Sequence, residues 1–127
     1  MQKLLFVALG GALGAILRYL IAGGLQRWSG SSFPVGTLTV NLIGCLAIGF
    51  LGALFMGPWL VREEYRLVLL VGLLGSLTTF STFGWETLML AGDRQFSLAL
   101  ANLAISNGAG LFAVWIGLRV AHKVYGI

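Results

Sequence analysis

Gly75-Ser76-Leu77-Thr78-Thr79-Phe80-Ser81-Thr82-Phe83-Gly84-Trp85-Glu86 lies in the middle of a long apolar segment. The stretch holds five hydroxyl side chains, two glycines and a carboxylate. At a spacing of three it forms stripes: Thr78 with Ser81, Thr79 with Thr82, and Phe80 with Phe83. Residues three apart share a helix face, so one turn carries two rings on one side with hydroxyls around them. In water this would be a capping or turn region. At membrane depth it is costly, because polar side chains and loosened backbone persist there only where protein or a water-filled cavity satisfies them. Gly72, Gly75 and the hydroxyls that follow predict a helix interrupted near residues 75–79. Such breaks expose carbonyls and N–H groups for ion coordination.

Composition puts the stretch in a membrane. The chain has 127 residues, 58% hydrophobic and 9% charged, whereas a soluble domain carries about 25% charged residues. It cannot solvate its own surface, and it reads as a single all-α integral membrane domain over residues 1–127. Four spans of roughly 20 residues each use most of that length. The first runs over about 4–25 and is read as a retained helix, because its apolar run is too long for a signal peptide. Glycines and alanines at 8, 10, 11, 12, 14 and 15 give it a small-residue face of the kind that lets membrane helices approach closely. The second starts after Pro34, which favours a helix start, and ends near 56–58. The third covers about 67–91, after a charge-dense loop over 59–66. The fourth covers about 96–120, and Asn102, Ser106 and Asn107 make one of its faces polar.

The formal charge of +4 does not point to nucleic acid, because the eight Lys and Arg are scattered and form no patch. Four spans put both termini on one side. That side gathers Lys3, Arg62, Arg66, Arg119 and Lys123, against Arg27 and Arg94 opposite, which favours cytoplasmic termini. A single Cys45 excludes an internal disulfide and a cysteine metal cluster. Enzyme chemistry finds no footing: there is no Ser/His/Asp set, no pair of intramembrane carboxylates, no His-x-x-x-His and no nucleotide-binding glycine pattern.

What remains is neutral hydrogen-bond donors, two rings, one intramembrane cation at Arg18 and a broken helix. Phe ring edges are positive, hydroxyls and an Asn41 amide can replace water around an anion, and a cation path would more naturally show carboxylates or carbonyl rings. The chemistry leans to anions. Arg18 reads either as a snorkelling side chain or as an attractor of anions, and Asn41 either as interhelical glue or as a donor. Glu86, beside Trp85 late in the third span, reads as interfacial.

Gly-Gly-Ala-Leu-Gly-Ala-Ile-Leu-Arg (10–18), Gly-Thr-Leu-Thr-Val-Asn-Leu-Ile-Gly (36–44) and Gly-Ser-Leu-Thr-Thr-Phe-Ser-Thr-Phe (75–83) with Glu86 resemble the Fluc/CrcB fluoride channels, over nearly the whole chain. The resemblance implies an antiparallel, dual-topology homodimer in a bacterial inner membrane, with two pores that release fluoride passively from the cytoplasm. It implies that Phe80 and Phe83 line the pore, with Asn41, Ser81, Thr82 and Ser106 as its polar groups and Arg18 in the anion vestibule. It also implies a structural, untransported Na+ held by the backbone carbonyls of Gly75 and Thr78. Gly110 stands where a further hydroxyl would continue the polar track, so the track ends at Ser106, with Asn102 as a candidate member. A competing reading is a small proton-coupled multidrug-type exporter. It would need a membrane-embedded Glu in the first span, which has none, and Glu86 is poorly placed to substitute. A non-transporting assembly subunit would leave Thr78 to Phe83 unexplained.

Overall fold

The computed structural model describes residues 1–57 and 61–126. α1 (Gln2–Ser29) is followed by α2 (Val35–Met56) and by a composite third span. That span opens as α3 (Glu63–Arg66), widens into a π-helical run over Leu67–Leu74, and tightens into one turn, α4 (Gly75–Leu77). It breaks at Thr78 and Thr79, resumes as α5 (Phe80–Gly92), and a turn then leads to α6 (Phe96–Tyr125). No strand occurs among the described residues. Four helical segments are long and apolar enough to cross a membrane, so the protein is an all-α, multi-pass membrane protein.

The helices outrun the spans read from hydropathy. α1 continues to Ser29, the third span begins at Glu63, and α6 reaches Tyr125. Hydropathy marks where hydrocarbon starts, whereas a helix ends only where its backbone ladder is capped. At the end of α1 that cap is Gly30, left-handed at φ 57°, whose N–H bonds the Gln26 carbonyl. The same Gln26 side chain donates to the carbonyls of Ser31 and Phe33 and accepts from the Gly36 N–H. It thereby ties the 30–34 turn to the start of α2. The end of the second span at Pro58, and Trp59 and Leu60 of the charge-dense loop, lie outside the described residues.

Two polar contacts mark the ends of the bundle. Lys3 Nζ lies 2.7 Å from Glu63 Oε1, joining the start of α1 to the start of the third span. At the other end Ser32 Oγ donates to Gln95 Oε1 at 3.0 Å. Helix packing between them runs through glycine. A Cβ on Gly10 or Gly14 would collide with the Val68 or Leu73 carbonyl, and one on Gly49 or Gly117 with the Val114 or Leu46 carbonyl. In lipid, helices associate through such close backbone approach, because apolar burial offers them little advantage over lipid tails. Val40, Leu74 and Leu77 form the buried cluster where α2 meets the third span.

Candidate functional site

The break is built by redirected donors. Thr78 and Thr79 are extended, at φ −83°, ψ 154° and φ −151°, ψ 114°. The Thr78 N–H and hydroxyl both donate to the Leu74 carbonyl, at 3.1 and 3.0 Å. The next donor leaves the ladder: the Thr79 N–H goes to Asn41 Oδ1 at 2.8 Å, and Asn41 Nδ2 donates to the Thr79 carbonyl at 3.2 Å. The Thr79 hydroxyl then caps α5, accepting the Thr82 N–H at 3.2 Å, as expected of a threonine before a helix. A continuous helix would send the Thr79 N–H to the Gly75 carbonyl and the Thr82 N–H to the Thr78 carbonyl. Both carbonyls have lost those partners. The sequence leaves Asn41 two roles, and here one amide hydrogen and the amide oxygen are committed to holding the break open, with one N–H left over.

α2 reaches the break because residue 44 has no side chain: a Cβ on Gly44 would collide with Thr78 Cγ2. Gly75 is different. It is exposed, and the nearest atom to a Cβ there would be the Leu70 carbonyl oxygen at 3.8 Å. Among the described residues nothing requires glycine at that position.

Beside the break lies an open cavity of about 390 Å³ whose lining includes Asn41, Gly75, Thr78, Phe80, Phe83 and Ser106. The structure thus brings together six of the residues singled out by sequence. The two rings stand 5.5 Å apart at 49°, a tilted arrangement that turns edges as well as faces outward. Phe83 is 7% exposed and Phe80 is 81% exposed, so one ring is seated in the chain and the other projects from it. Ser81 and Thr82 are exposed on the first turn of α5. They contact the Thr79 hydroxyl at 3.4 and 2.9 Å and do not line this cavity. Arg18 is half-buried on α1 and also lies off the lining.

Behind Phe83 a polar chain crosses from α6 to α5. Ser106 Oγ donates to Asn102 Oδ1 at 3.1 Å, Asn102 Nδ2 to Thr87 Oγ1 at 2.8 Å, and Thr87 Oγ1 to the Phe83 carbonyl at 2.7 Å. Asn102 is 1% exposed. It stands behind the cavity wall and is not part of the lining. Thr87 is the residue that sequence reasoning misses; its only signal is its place one turn after Phe83. Glu86 accepts from the Thr37 hydroxyl at 2.8 Å through Oε1, while its Oε2 is buried without a partner. It lines a second cavity of about 240 Å³ with Ser32, Asp93 and Gln95, at the end of the bundle, where an interfacial carboxylate belongs. Among the described residues no group of three His, Cys, Asp or Glu could hold a metal ion. A resident cation would have to rely on backbone, hydroxyl or amide oxygens.

Residues 5–118 match the family described as CrcB-like protein, Camphor Resistance (CrcB). The chain belongs to the CrcB family. Relatives named fluoride-specific ion channel FluC match it from end to end. The one from Desulforapulum autotrophicum is 45% identical over 123 residues, 97% of this chain and 98% of its own length. Those from Magnetococcus marinus and Citrifermentans bemidjiense are 43% and 41% identical, over 97% and 98% of this chain and 100% of their own lengths. CrcB relatives are thus channels by name and not enzymes, and a cavity lining without a charged side chain accords with that. The exporter reading is left without support.

Proposed function

We propose that this CrcB-family chain is a fluoride channel of a bacterial inner membrane, letting fluoride leave the cytoplasm passively through an antiparallel homodimer with two pores. The observation that carries this reading is the cavity at the break, where two tilted rings meet neutral hydrogen-bonding groups and no carboxylate. Positive ring edges, the spare Asn41 N–H and the N-terminal end of α5 all favour an anion. Phe80, four-fifths exposed, gives the cavity a projecting wall with no opposite face. A second copy completes it, and the exposed Ser81 and Thr82 extend its polar lining. Arg18, on α1, raises the local concentration of anions at the mouth.

The freed carbonyls of Gly75 and Thr78 fit a hard cation, which takes oxygen ligands. Two copies related by a two-fold axis would present four such oxygens to one Na+. When bound, it supplies fixed positive charge and cross-links the two breaks. Gly75, exposed and with nothing closer to a Cβ than the Leu70 carbonyl oxygen at 3.8 Å, is suited to that close approach.

The test is fluoride efflux from proteoliposomes, followed with a fluoride-selective electrode and compared with chloride. Rapid fluoride release with little chloride release supports the reading. Equal release of both anions, or release of neither, defeats it.

A further inference from the structure

The polar chain behind Phe83 has a direction that can be read without seeing a hydrogen. A carbonyl oxygen only accepts, so the one proton of Thr87 Oγ1 is committed to the Phe83 carbonyl at 2.7 Å. The atom of Asn102 that lies 2.8 Å from the same hydroxyl must therefore donate, which identifies it as the amide nitrogen. The amide oxygen is then the atom facing Ser106 at 3.1 Å, and it too only accepts. The single proton of Ser106 consequently points into the protein. Ser106 lines the cavity, but it faces that space with lone pairs. Asn102 is 1% exposed and has no other described partner, so the order is imposed from the Phe83 carbonyl outward.

We infer that Asn102 and Thr87 are positioning residues that hold the Ser106 proton away from the cavity and so set how readily the cavity takes up fluoride. This rests on the reading of the cavity as an anion path. An anion there meets an acceptor until Ser106 turns its proton outward, which breaks the bond to Asn102. Every halide incurs that same loss. Fluoride is the smallest halide and the strongest hydrogen-bond acceptor, so it recovers the most from the released O–H, whereas chloride recovers little. The hydroxyl acts as a donor held in reserve.

The chain can be reversed from its far end. Thr87→Val removes the hydroxyl that fixes the amide. Asn102 can then turn its nitrogen to Ser106, whose oxygen accepts it, and the Ser106 proton is free for the cavity without any change to Ser106 or Asn102. One hydrogen bond no longer has to be broken, so the half-saturating fluoride concentration for efflux should fall about two- to tenfold. Selectivity over chloride should not fall, because the loss that is lifted is at most the same for chloride. Thr87→Ser keeps the hydroxyl and should restore the unaltered value. In the Ser106→Ala background, Thr87→Val should change neither quantity. An unshifted half-saturation in Thr87→Val, or an equal shift in the Ser106→Ala background, overturns the inference.

Absence of fluoride flux in the unaltered protein would defeat the channel reading itself. The proton order then has its own test, exchange of the Asn102 side-chain amide protons followed by NMR in the full-length protein. Slow exchange of one Nδ2 proton that survives Ser106→Ala supports the order. Protection lost in Ser106→Ala places the nitrogen against Ser106 and refutes it.

Discussion

Asn41→Leu should close the helix break, because this one side chain holds both backbone polar groups of Thr79. The substitution nearly conserves shape and removes the bonds at 2.8 and 3.2 Å. Thr79 is 8% exposed, so its N–H and C=O have little water to fall back on. A buried polar group left without a partner costs about 1–3 kcal/mol, which puts the two together at about 2–6 kcal/mol. Interhelical side-chain bonds in membranes average only about 0.6 kcal/mol, which favours the low end. The Thr79 N–H can also return to the Gly75 carbonyl by continuing the helix, recovering about 1 kcal/mol. A net loss of about 1–2 kcal/mol remains, roughly a five- to thirtyfold shift of the folding equilibrium. Reversible unfolding in detergent micelles measures it. The same change should make stability indifferent to Na+, because a carbonyl that has regained its helical donor is less available as a ligand. A variant that unfolds at the same denaturant concentration as the unaltered chain, with its response to Na+ intact, would refute the reasoning.

Other perturbations act on separate parts of the site. Phe80→Ile or Phe83→Ile keeps bulk and removes the ring edge, so fluoride efflux should fall at least tenfold while folding persists; undiminished flux in both would exclude an aromatic role. Arg18→Gln should slow efflux severalfold at low salt and less at high salt, where screening already weakens the attraction; a loss independent of ionic strength would return Arg18 to snorkelling. Gly44→Ala should destabilise by about 1–3 kcal/mol through overpacking against Thr78 Cγ2, and Thr78→Ser, which lacks that methyl, should largely restore stability in the double variant. Replacing Na+ with a large organic cation should lower dimer stability and fluoride flux together, and no change in either would dispose of the central cation.

Much of this was open to sequence reasoning, for physical reasons. Apolar runs long enough to span hydrocarbon define four helices. Five hydroxyls inside one such run locate the break, because nothing else explains their cost. Spacing pairs Phe80 with Phe83 and polarity marks Asn41 and Ser106, but that the four meet at one cavity followed only from the family resemblance. The π-helical run Leu67–Leu74 has no such signature, since Leu-Val-Leu-Leu-Val-Gly-Leu-Leu suits any lipid-facing helix. Its backbone is matched to Gly10 and Gly14 of α1, a contact between residues far apart in the chain. The four-residue spacing of Asn102 and Ser106 shows that they share a face but not which of them gives the proton. That depends on Thr87, on another helix. Asn41 likewise offers donor and acceptor alike, and only its distance to Thr79 tells how they are divided.

The glycines also carry a genetic consequence. At Gly10, Gly14, Gly36, Gly49 and Gly117 the chain's own backbone occupies the space that a methyl group would need, while Gly24, Gly84 and Gly108 look onto open space. An alanine scan of these positions, scored by growth of a fluoride-sensitive host, separates two kinds of constraint. Failure in the first set reports how one polypeptide is assembled. Under the proposed two-copy assembly, failure at Gly75, Gly84 or Gly108, where a single chain has room to spare, would mark ground held by a neighbour. Selection on living cells would then trace the outline of that neighbour one methyl group at a time.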